Sequence, residues 1–271
     1  MSTPSEKNPA PAAEDGTRAP IELKYNPHEG VEEPYLILPG GAHGAAVVKD
    51  LATYISRALA VNPDAAIRLT ARGRVLAVFA CSLEPEDASS TAPVIMGMRA
   101  LHLAAESTLD MTVQAQALQE RLARLQKQAE QQSAEGQQNP ELVLYMPPVT
   151  VNAGWTGKAA PVRGWSEVGT VPVEEFARAT AEGLEAVDRA LPENPGAAVL
   201  TTVRSRIWSS PMVLEYLPAF DGVQVPTGAA FALRVYGFIP VFAARVGSDE
   251  WLRIVAPAGM VLVRRGSGSL L

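Results

Sequence analysis

Apolar residues recur along most of this chain at one of two periods, and the period changes from segment to segment. In residues 45–61 they lie three or four positions apart, which gives one apolar helical face. Residues 241–246, 251–255 and 260–264 are short apolar runs between turn residues, a pattern typical of β-strands. Because both patterns occur in each half, the sequence predicts an α+β fold of two packed subdomains, each combining amphipathic helices with a small antiparallel sheet.

Polar, Pro-rich and Gln-rich stretches divide the chain. Residues 1–34 are predicted to be a disordered tail without a secretory signal, and residues 266–271 a flexible tail. The polar residues 136–141 form a predicted linker. The two subdomains are therefore expected at residues 35–135 and 142–265.

The N-terminal half begins with a predicted strand at residues 35–38. Two strand-like runs, 66–70 and 74–79, flank Gly73, so a hairpin is expected with its turn at residues 71–73. A third strand is expected within residues 93–104. Residues 108–113 fit either a fourth strand or the entry to a helix, and helical spacing starts at Met111.

The C-terminal half begins with a predicted irregular segment, residues 142–169. Pro172 then starts a helix whose apolar face includes Leu184. Asn194 and Pro195 indicate the start of a second helix, in which Val199, Val203 and Ile207 are expected to be buried, with Trp208 at its end. Thr227 is the expected cap of a third, mostly apolar helix.

Side chains that commonly carry catalysis or bind metals are scarce. The chain has one cysteine, Cys81, and three histidines, His28, His43 and His102. A Cys81–His102 pair on neighbouring strands is one candidate for nucleophilic chemistry, although a buried structural cysteine is the competing interpretation. No set of residues has metal-ligand spacing, so no metal, cofactor or catalytic residue is predicted, and an enzyme is disfavoured.

A glycine-rich stretch between the first strand and the first helix is a candidate cofactor-binding site, formed by Gly40, Gly41, His43 and Gly44. Backbone N–H groups in such loops hold phosphate in many proteins. The stretch is not G-x-G-x-x-G, and no Gly-Lys-Ser/Thr follows it, which favours an ordinary turn.

The charge distribution argues against nucleic acid as a partner. The net charge is −6, and no dense run of Lys and Arg occurs. Three helices followed by strands in residues 172–265 permit a winged-helix interpretation, in which the third helix reads DNA. That helix carries only Arg234 as a charged residue, which conflicts with such a role.

Two groups of apolar residues are candidates for contact with a protein partner or a second copy. Trp155 and Trp165 lie in the Pro-rich irregular segment, where aromatic residues often serve as interface anchors. Leu118, Leu122 and Leu125 form a short stripe that fits a partner helix or packing on the protein's own sheet.

Several short stretches together resemble an uncharacterised protein family of actinobacteria. They include Gly164-Trp165, Ile207-Trp208-Ser209, Trp251-Leu252-Arg253 and the Arg-rich residues 68–78. The resemblance covers roughly residues 35–265 and implies a bacterial, cytoplasmic setting in which both halves belong together. It implies no activity, cofactor or catalytic residue.

The leading hypothesis is a non-catalytic cytoplasmic binding or regulatory protein that acts through protein–protein contacts, without a membrane anchor. The first alternative is a small-molecule or nucleotide-binding enzyme that uses the glycine-rich stretch or a cleft between the subdomains. The second alternative is winged-helix-like DNA binding by the C-terminal half.

Overall fold

The computed structural model describes residues 33–85, 90–134, 141–214, 223–239, 244–248 and 251–265. The elements in chain order are β1 (Tyr35–Leu38), α1 (Gly41–Val61), β2 (Ala66–Leu83), β3 (Val94–Gln114), α2 (Ala115–Ala134), β4 (Leu142–Tyr145), a 3₁₀ helix (Gly154–Gly157), β5 (Ser166–Val171), α3 (Val173–Ala190), α4 (Ala197–Ser209), α5 (Thr227–Val235), β6 (Ala244–Ser248), β7 (Trp251–Ala256) and β8 (Gly259–Arg264).

Strands from both halves of the chain form one sheet. Its six strands are antiparallel to their neighbours in the order β2-β3-β8-β7-β6-β5, and β1 pairs with β4 in a separate two-stranded sheet. The halves meet where β3 pairs with β8, from Val94 opposite Arg264 to Met98 opposite Met260. The predicted α+β class is confirmed, while the bounds of the two subdomains stay a prediction.

The two faces of this sheet are covered differently. On the inner face, Ile67, Val78 and Ile254 belong to a large apolar core that also contains residues of the helices, among them Leu51 of α1 and Leu233 of α5. On the outer face, a smaller apolar cluster contains Val94, Met96, Trp155, Trp251 and Leu262. The α-helices therefore pack on the inner face, whereas the 3₁₀ helix, which carries Trp155, lies on the outer face.

The hairpin predicted with its turn at residues 71–73 is wrong. Residues 66–83 form a single 18-residue strand, β2, which pairs with β3. Gly73 has a φ of +59°, and the register shifts between Gly73 and Val75, where residues 103–106 of β3 have no partner in β2. A glycine with positive φ serves a β-bulge as readily as a turn, which is why the sequence suggested a reversal here.

The bulge keeps one face of β2 pointing at the same side of the sheet. Before it, the buried inner positions are Ile67, Leu69 and Ala71, and after it they are Leu76, Val78 and Ala80. The alternation of β2 has thus moved by one residue across the irregularity, where Arg74 of β2 is unpaired and the excess residues, 103–106, belong to β3. The outer positions change in the same way, so that Arg68, Thr70 and Arg72 are followed by Val75, Ala77 and Phe79.

Other boundaries differ from the sequence prediction in smaller ways. Residues 108–113 continue β3, and α2 begins at Ala115, so Met111 belongs to the strand and pairs with Leu69. The segment predicted to be irregular contains β4, the 3₁₀ helix and β5.

The helices after Pro172 begin close to where the sequence predicted. Leu184 and Val199, which were expected to be buried, are each 45% exposed. Val203 and Ile207 are half-buried. The buried residue of α4 is Trp208 at its C-terminal end, which stacks on Phe231 at 4.6 Å between ring centroids.

Several predicted features lie outside the described residues. They are most of the N-terminal tail (1–32), most of the linker (135–140), the C-terminal tail (266–271) and the first residues of the strand expected at 241–246.

A substitution at Gly73 separates the role of its backbone conformation from that of packing. Replacement by alanine should lower the free energy of unfolding by about 1 kcal/mol, because non-glycine residues are strained at positive φ. No atom lies within 4 Å of the Cβ that would be added, so crowding does not contribute. Gly73→Asn should cost less, since asparagine tolerates this conformation. Urea denaturation measures all three proteins.

The matched control is Gly157→Ala. Gly157 also has open space around an added Cβ but does not have positive φ. Equal stability losses at Gly73 and Gly157 would contradict the assignment of strain to the bulge.

Candidate ligand-binding cavity

A segment of the C-terminal half crosses the outer face of the sheet. We call residues 151–165 the strap. It begins beside the end of β3, where the Val151 N–H donates to the Thr112 carbonyl at 2.9 Å and Thr150 forms an isolated β-bridge with Val113. Its 3₁₀ helix carries Trp155, which is only 3% exposed and packs into the outer apolar cluster. The strap is thus held on the sheet by one buried aromatic side chain and by backbone contacts.

Arg68 of β2 fastens the strap with a charged side chain. Its Nη1 donates to the Thr156 carbonyl at 2.9 Å. Its Nε and Nη2 donate to the two carboxylate oxygens of Asp110, each at 2.9 Å. This bidentate pair fixes the guanidinium plane and so directs the remaining donor at the strap.

Glu84, which follows β2, contacts the same part of the strap. Its carboxylate accepts a hydrogen bond from the Trp155 backbone, and burial raises its pKa above the ordinary value. The start of the strap is therefore held from two places, Arg68 in the first part of β2 and Glu84 just beyond its end.

A cavity of about 420 Å³ lies between the strap and the outer face of the sheet. Apolar side chains from three strands make up its floor and the strap forms its opposite wall. The lining residues are Phe79, Ala77 and Val75 of β2, Met96 and Met98 of β3, Met260 and Leu262 of β8, and Trp155, Ala159, Ala160, Pro161, Val162 and Trp165 of the strap. This volume lies within the range of small-molecule sites, roughly 300–1,000 Å³.

Charged side chains also line the cavity. Four of them are cationic: Arg68 and Arg72 of β2, Lys158 of the strap and Arg253 of β7. The carboxylate of Asp110 is the one acid in the described lining, and it is paired with Arg68. The lining is thus mostly apolar, with cationic side chains contributed by β2, β7 and the strap.

Arg253 lies against Trp165. Its guanidinium carbon is 4.5 Å from the centroid of the indole ring, a cation–π distance, and the Trp165 Nε1–H donates to the Pro161 carbonyl at 3.0 Å. The Nε of Arg253 is buried and has no hydrogen-bond partner in the described part of the chain. Burial lowers the pKa of this arginine.

The predicted interaction residues have different positions. Trp155 and Trp165 both line the cavity, so they contact the protein's own sheet and strap. Leu118 and Leu122 are 0% exposed and Leu125 is 4% exposed, all within the core cluster that also contains α1 residues. The leucine stripe therefore packs inside this chain and presents no surface to a partner.

The glycine-rich stretch is mostly helix. Gly41 starts α1 with a φ of +62°, and His43 is exposed in the first turn. Gly44 is buried so closely against the Pro39 backbone that an added Cβ would lie 1.8 Å from the Pro39 oxygen. The glycine at this position thus lets the chain turn tightly from β1 into α1, a structural requirement that needs no ligand.

The structure does not bring Cys81 and His102 together. Both lie on the paired strands β2 and β3, but Cys81 is opposite Met96 and His102 is opposite Val75. Six residues of strand separate these positions, roughly 20 Å at about 3.3 Å per residue. The Cys81 thiol donates to the Leu83 carbonyl at 3.1 Å, and burial raises its pKa well above the usual range, so it is a poor nucleophile.

Two other predictions concern metals and DNA. Among the residues that the structure describes, no group of His, Cys, Asp or Glu is placed to hold a metal ion.

The third helix of the winged-helix interpretation, α5, has four side chains that are 0% exposed: Ala229, Ala230, Ala232 and Leu233. It is a core helix and cannot enter a DNA groove without leaving the fold.

Arg253, Phe79 and Met98 were not identified from the sequence as site residues. One signal was available. Residues 75–81 are apolar at nearly every position, so this strand has to be covered on both faces. Which segment covers the second face is a long-range property that local periodicity does not contain.

The fold and the cavity define an α+β protein with a ligand-sized cavity between its two halves. Residues 42–139 match the model of a domain of unknown function (DUF8010), and residues 160–268 match a second domain of unknown function (DUF8185). No curated protein matches the chain. These matches confirm the resemblance to an uncharacterised family, and residues of both matched segments line the cavity.

One further finding concerns membranes. Among the described residues, none of the helices is both long enough and apolar enough to cross a bilayer.

The Arg68–Asp110 pair makes stability depend on pH. The hydrogen bonds from Arg68 lower the pKa of Asp110, so the folded state binds this proton more weakly than the unfolded state does. The added stability is present above the ordinary aspartate pKa of about 4 and is lost as the pH falls through the lowered folded value. Because Asp110 is 53% exposed, screening limits the effect to about 1 kcal/mol.

We expect Asp110→Asn to be less stable than the wild type at pH 7, with the difference shrinking below about pH 4. Urea denaturation at several pH values measures it. Asp64→Asn, at an exposed aspartate without an ion pair among the described contacts, is the control. A wild-type to Asp110→Asn difference that stays constant down to pH 3 would be inconsistent with the pair.

Proposed function

We propose that this protein binds a small molecule with an apolar body in the cavity beneath the strap. The observation that carries the proposal is the cavity itself, about 420 Å³, with an apolar floor on the strands and an aromatic wall on the strap. An apolar ligand would remove the floor from water and gain the contacts that an open cavity lacks.

The position of the cavity supports a site rather than a packing defect. Its lining comes from β2, β3, β7, β8 and the strap, so both halves of the chain contribute. Ligand sites are common between packed units of a fold. Of the sites considered from the sequence, this one corresponds to the cleft between the halves and not to the glycine-rich stretch.

The chemistry of the lining favours binding without turnover. Thr70 is the one hydroxyl in the described lining, and Asp110, the one carboxylate, already accepts two hydrogen bonds from Arg68. A nucleophile with a neighbouring base is needed for covalent catalysis. Thr70 lies opposite Asp110 in the pairing of β2 with β3, but both carboxylate oxygens of Asp110 are held by Arg68. We therefore propose a binding protein, such as a carrier or sensor, rather than an enzyme.

The expected protein partner and the cytoplasmic, actinobacterial setting remain proposals. A lone cysteine that forms no disulfide within the chain supports a reducing compartment. The tryptophans and leucines first considered as anchors are occupied within the chain, so a partner would need another surface. A ligand-dependent change in the exposed part of the strap would supply one.

The proposal predicts saturable binding of N-phenyl-1-naphthylamine, an uncharged aromatic probe whose fluorescence rises in apolar sites. Ala77→Phe adds a ring to the cavity floor and should weaken binding about tenfold or more, because the added volume takes the place of the ligand. Fluorescence titration gives the dissociation constant. Because the chain also contains Trp208 and Trp251, energy transfer from tryptophan to the probe is compared between the wild type and Trp165→Phe, and its decrease reports that the probe lies near Trp165.

The matched control is Ala198→Phe, at an exposed alanine of α4, which should leave binding unchanged. Thermal unfolding checks that each variant is folded. If Ala77→Phe does not fold, Ala160→Phe fills the same cavity from the strap. A wild type that does not bind the probe saturably, or a folded cavity-filling variant that binds it normally, would refute the proposal.

A further inference from the structure

The cavity has a charge opposite to that of the whole chain. The chain has a net charge of −6, yet four cationic side chains and one carboxylate line the cavity. Cations around an apolar, partly dehydrated site attract an anion more strongly than cations in bulk water do, because the local dielectric constant is lower. The lining is therefore complementary to a negatively charged ligand.

The four cations are not equivalent. Arg68 uses three of its five N–H groups on Asp110 and the Thr156 carbonyl, one from each of its nitrogens. Its charge is offset by Asp110 at 2.9 Å. Arg68 positions the strap, and the recognition of an anion has to come from the other cations.

Arg253 is the cation whose donors are least satisfied. Among the residues that the structure describes, its buried Nε has no hydrogen-bond partner and no acid forms an ion pair with it. An unpaired buried donor on a charged group is costly, and a structure retains it where something compensates. Stacking on Trp165 holds the guanidinium plane in place but leaves the in-plane N–H groups unused.

We infer that the ligand is an amphipathic anion whose carboxylate or phosphate group binds Arg253 while its apolar body lies on the floor formed by Phe79, Met98 and Leu262. This inference rests on the proposed function and deepens it. A planar guanidinium presents two parallel donors to carboxylate or phosphate oxygens, a geometry that lysine cannot provide. Arg72 and Lys158, which line the same cavity, add favourable charge at longer range.

Two probes that differ in one charged group test the inference. 8-Anilinonaphthalene-1-sulfonate has the same ring system as N-phenyl-1-naphthylamine and an added sulfonate. We expect Arg253→Met to weaken binding of the sulfonate probe about tenfold or more, because a hydrogen-bonded ion pair is lost. Binding of the uncharged probe should change less than about twofold, since methionine keeps the apolar part of the side chain.

Arg204→Met is the matched control, since Arg204 is an exposed arginine of α4 remote from the cavity lining. It should leave the affinity for both probes unchanged. Arg253→Lys keeps the charge without the planar donors, and partial recovery of sulfonate binding would show that donor geometry contributes. Competition by dodecanoate, dodecyl phosphate and dodecanol then identifies the head group, with the alcohol expected to compete least.

The outcomes separate the inference from the proposed function. Selective loss of sulfonate binding in Arg253→Met supports both. Equal effects on the two probes, or dodecanol competing as well as dodecanoate and dodecyl phosphate, would overturn the anionic ligand while the cavity remained a binding site. Failure of the wild type to bind either probe would overturn both.

Discussion

The central sheet has apolar side chains on both faces, and the arrangement of the rest of the chain follows from covering them. On the inner face, side chains such as Ile67, Val78 and Ile254 are sealed by the helices. On the outer face, Met96, Trp251 and Leu262 are covered by Trp155 of the strap. A strap of irregular backbone covers less area than a helix layer, so part of the outer face remains uncovered beneath it. The cavity is the result of this unequal coverage.

The same sheet joins the two halves, and the inner core reinforces the connection. The Tyr54 hydroxyl of α1 donates to the Gly97 carbonyl of β3 at 2.8 Å. The ring of Tyr236, which follows α5, lies so close to Gly97 that an added Cβ would be 2.4 Å from it. Arg57 of α1 donates to the Tyr236 carbonyl at 2.8 Å. Because these contacts tie an N-terminal helix to a C-terminal one beneath the β3–β8 junction, the floor of the cavity is a fixed surface.

Local pattern in the sequence was enough for much of the fold. Helix α3 begins after Pro172 as expected, and strands β7 and β8 lie where the apolar runs predicted. Prediction failed at β2 because a glycine between two alternating runs has two solutions, a turn or a bulge, and only pairing with β3 distinguishes them.

The candidate site was harder to predict for a related reason. The tryptophans in the irregular segment were recognised as special, but their role depends on which surface the segment crosses. Arg253 reads as an ordinary strand residue until Trp165 lies against it. Local periodicity contains no information on contacts between residues almost ninety positions apart, such as Trp165 and Arg253. The sequence therefore indicated the tryptophans of the site but not its arginine.

The bulge at Gly73 also explains how one strand supplies both chemical characters of the cavity. Before it, the outward side chains of β2 are Arg68, Thr70 and Arg72, and after it they are Val75, Ala77 and Phe79, all in the cavity lining. Without the shift in alternation, one of these two sets would point into the inner core, where an arginine would be buried without a partner. The irregularity in β2 is therefore a condition for a cavity with a polar and an apolar part.

The sheet and the strap contribute differently to the proposed ligand site. Arg253 and the apolar floor belong to paired strands, of which β3, β7 and β8 are hydrogen-bonded on both sides and β2 on one, whereas residues 158–164 of the strap are mostly exposed. Groups on rigid elements set geometry more tightly than groups on irregular ones. In the proposed binding mode, the sheet sets where the charged and apolar ends of the ligand lie, and the strap sets how much volume is enclosed. Phe79 belongs to the first matched domain and Arg253 to the second, so the proposed site needs residues of both halves.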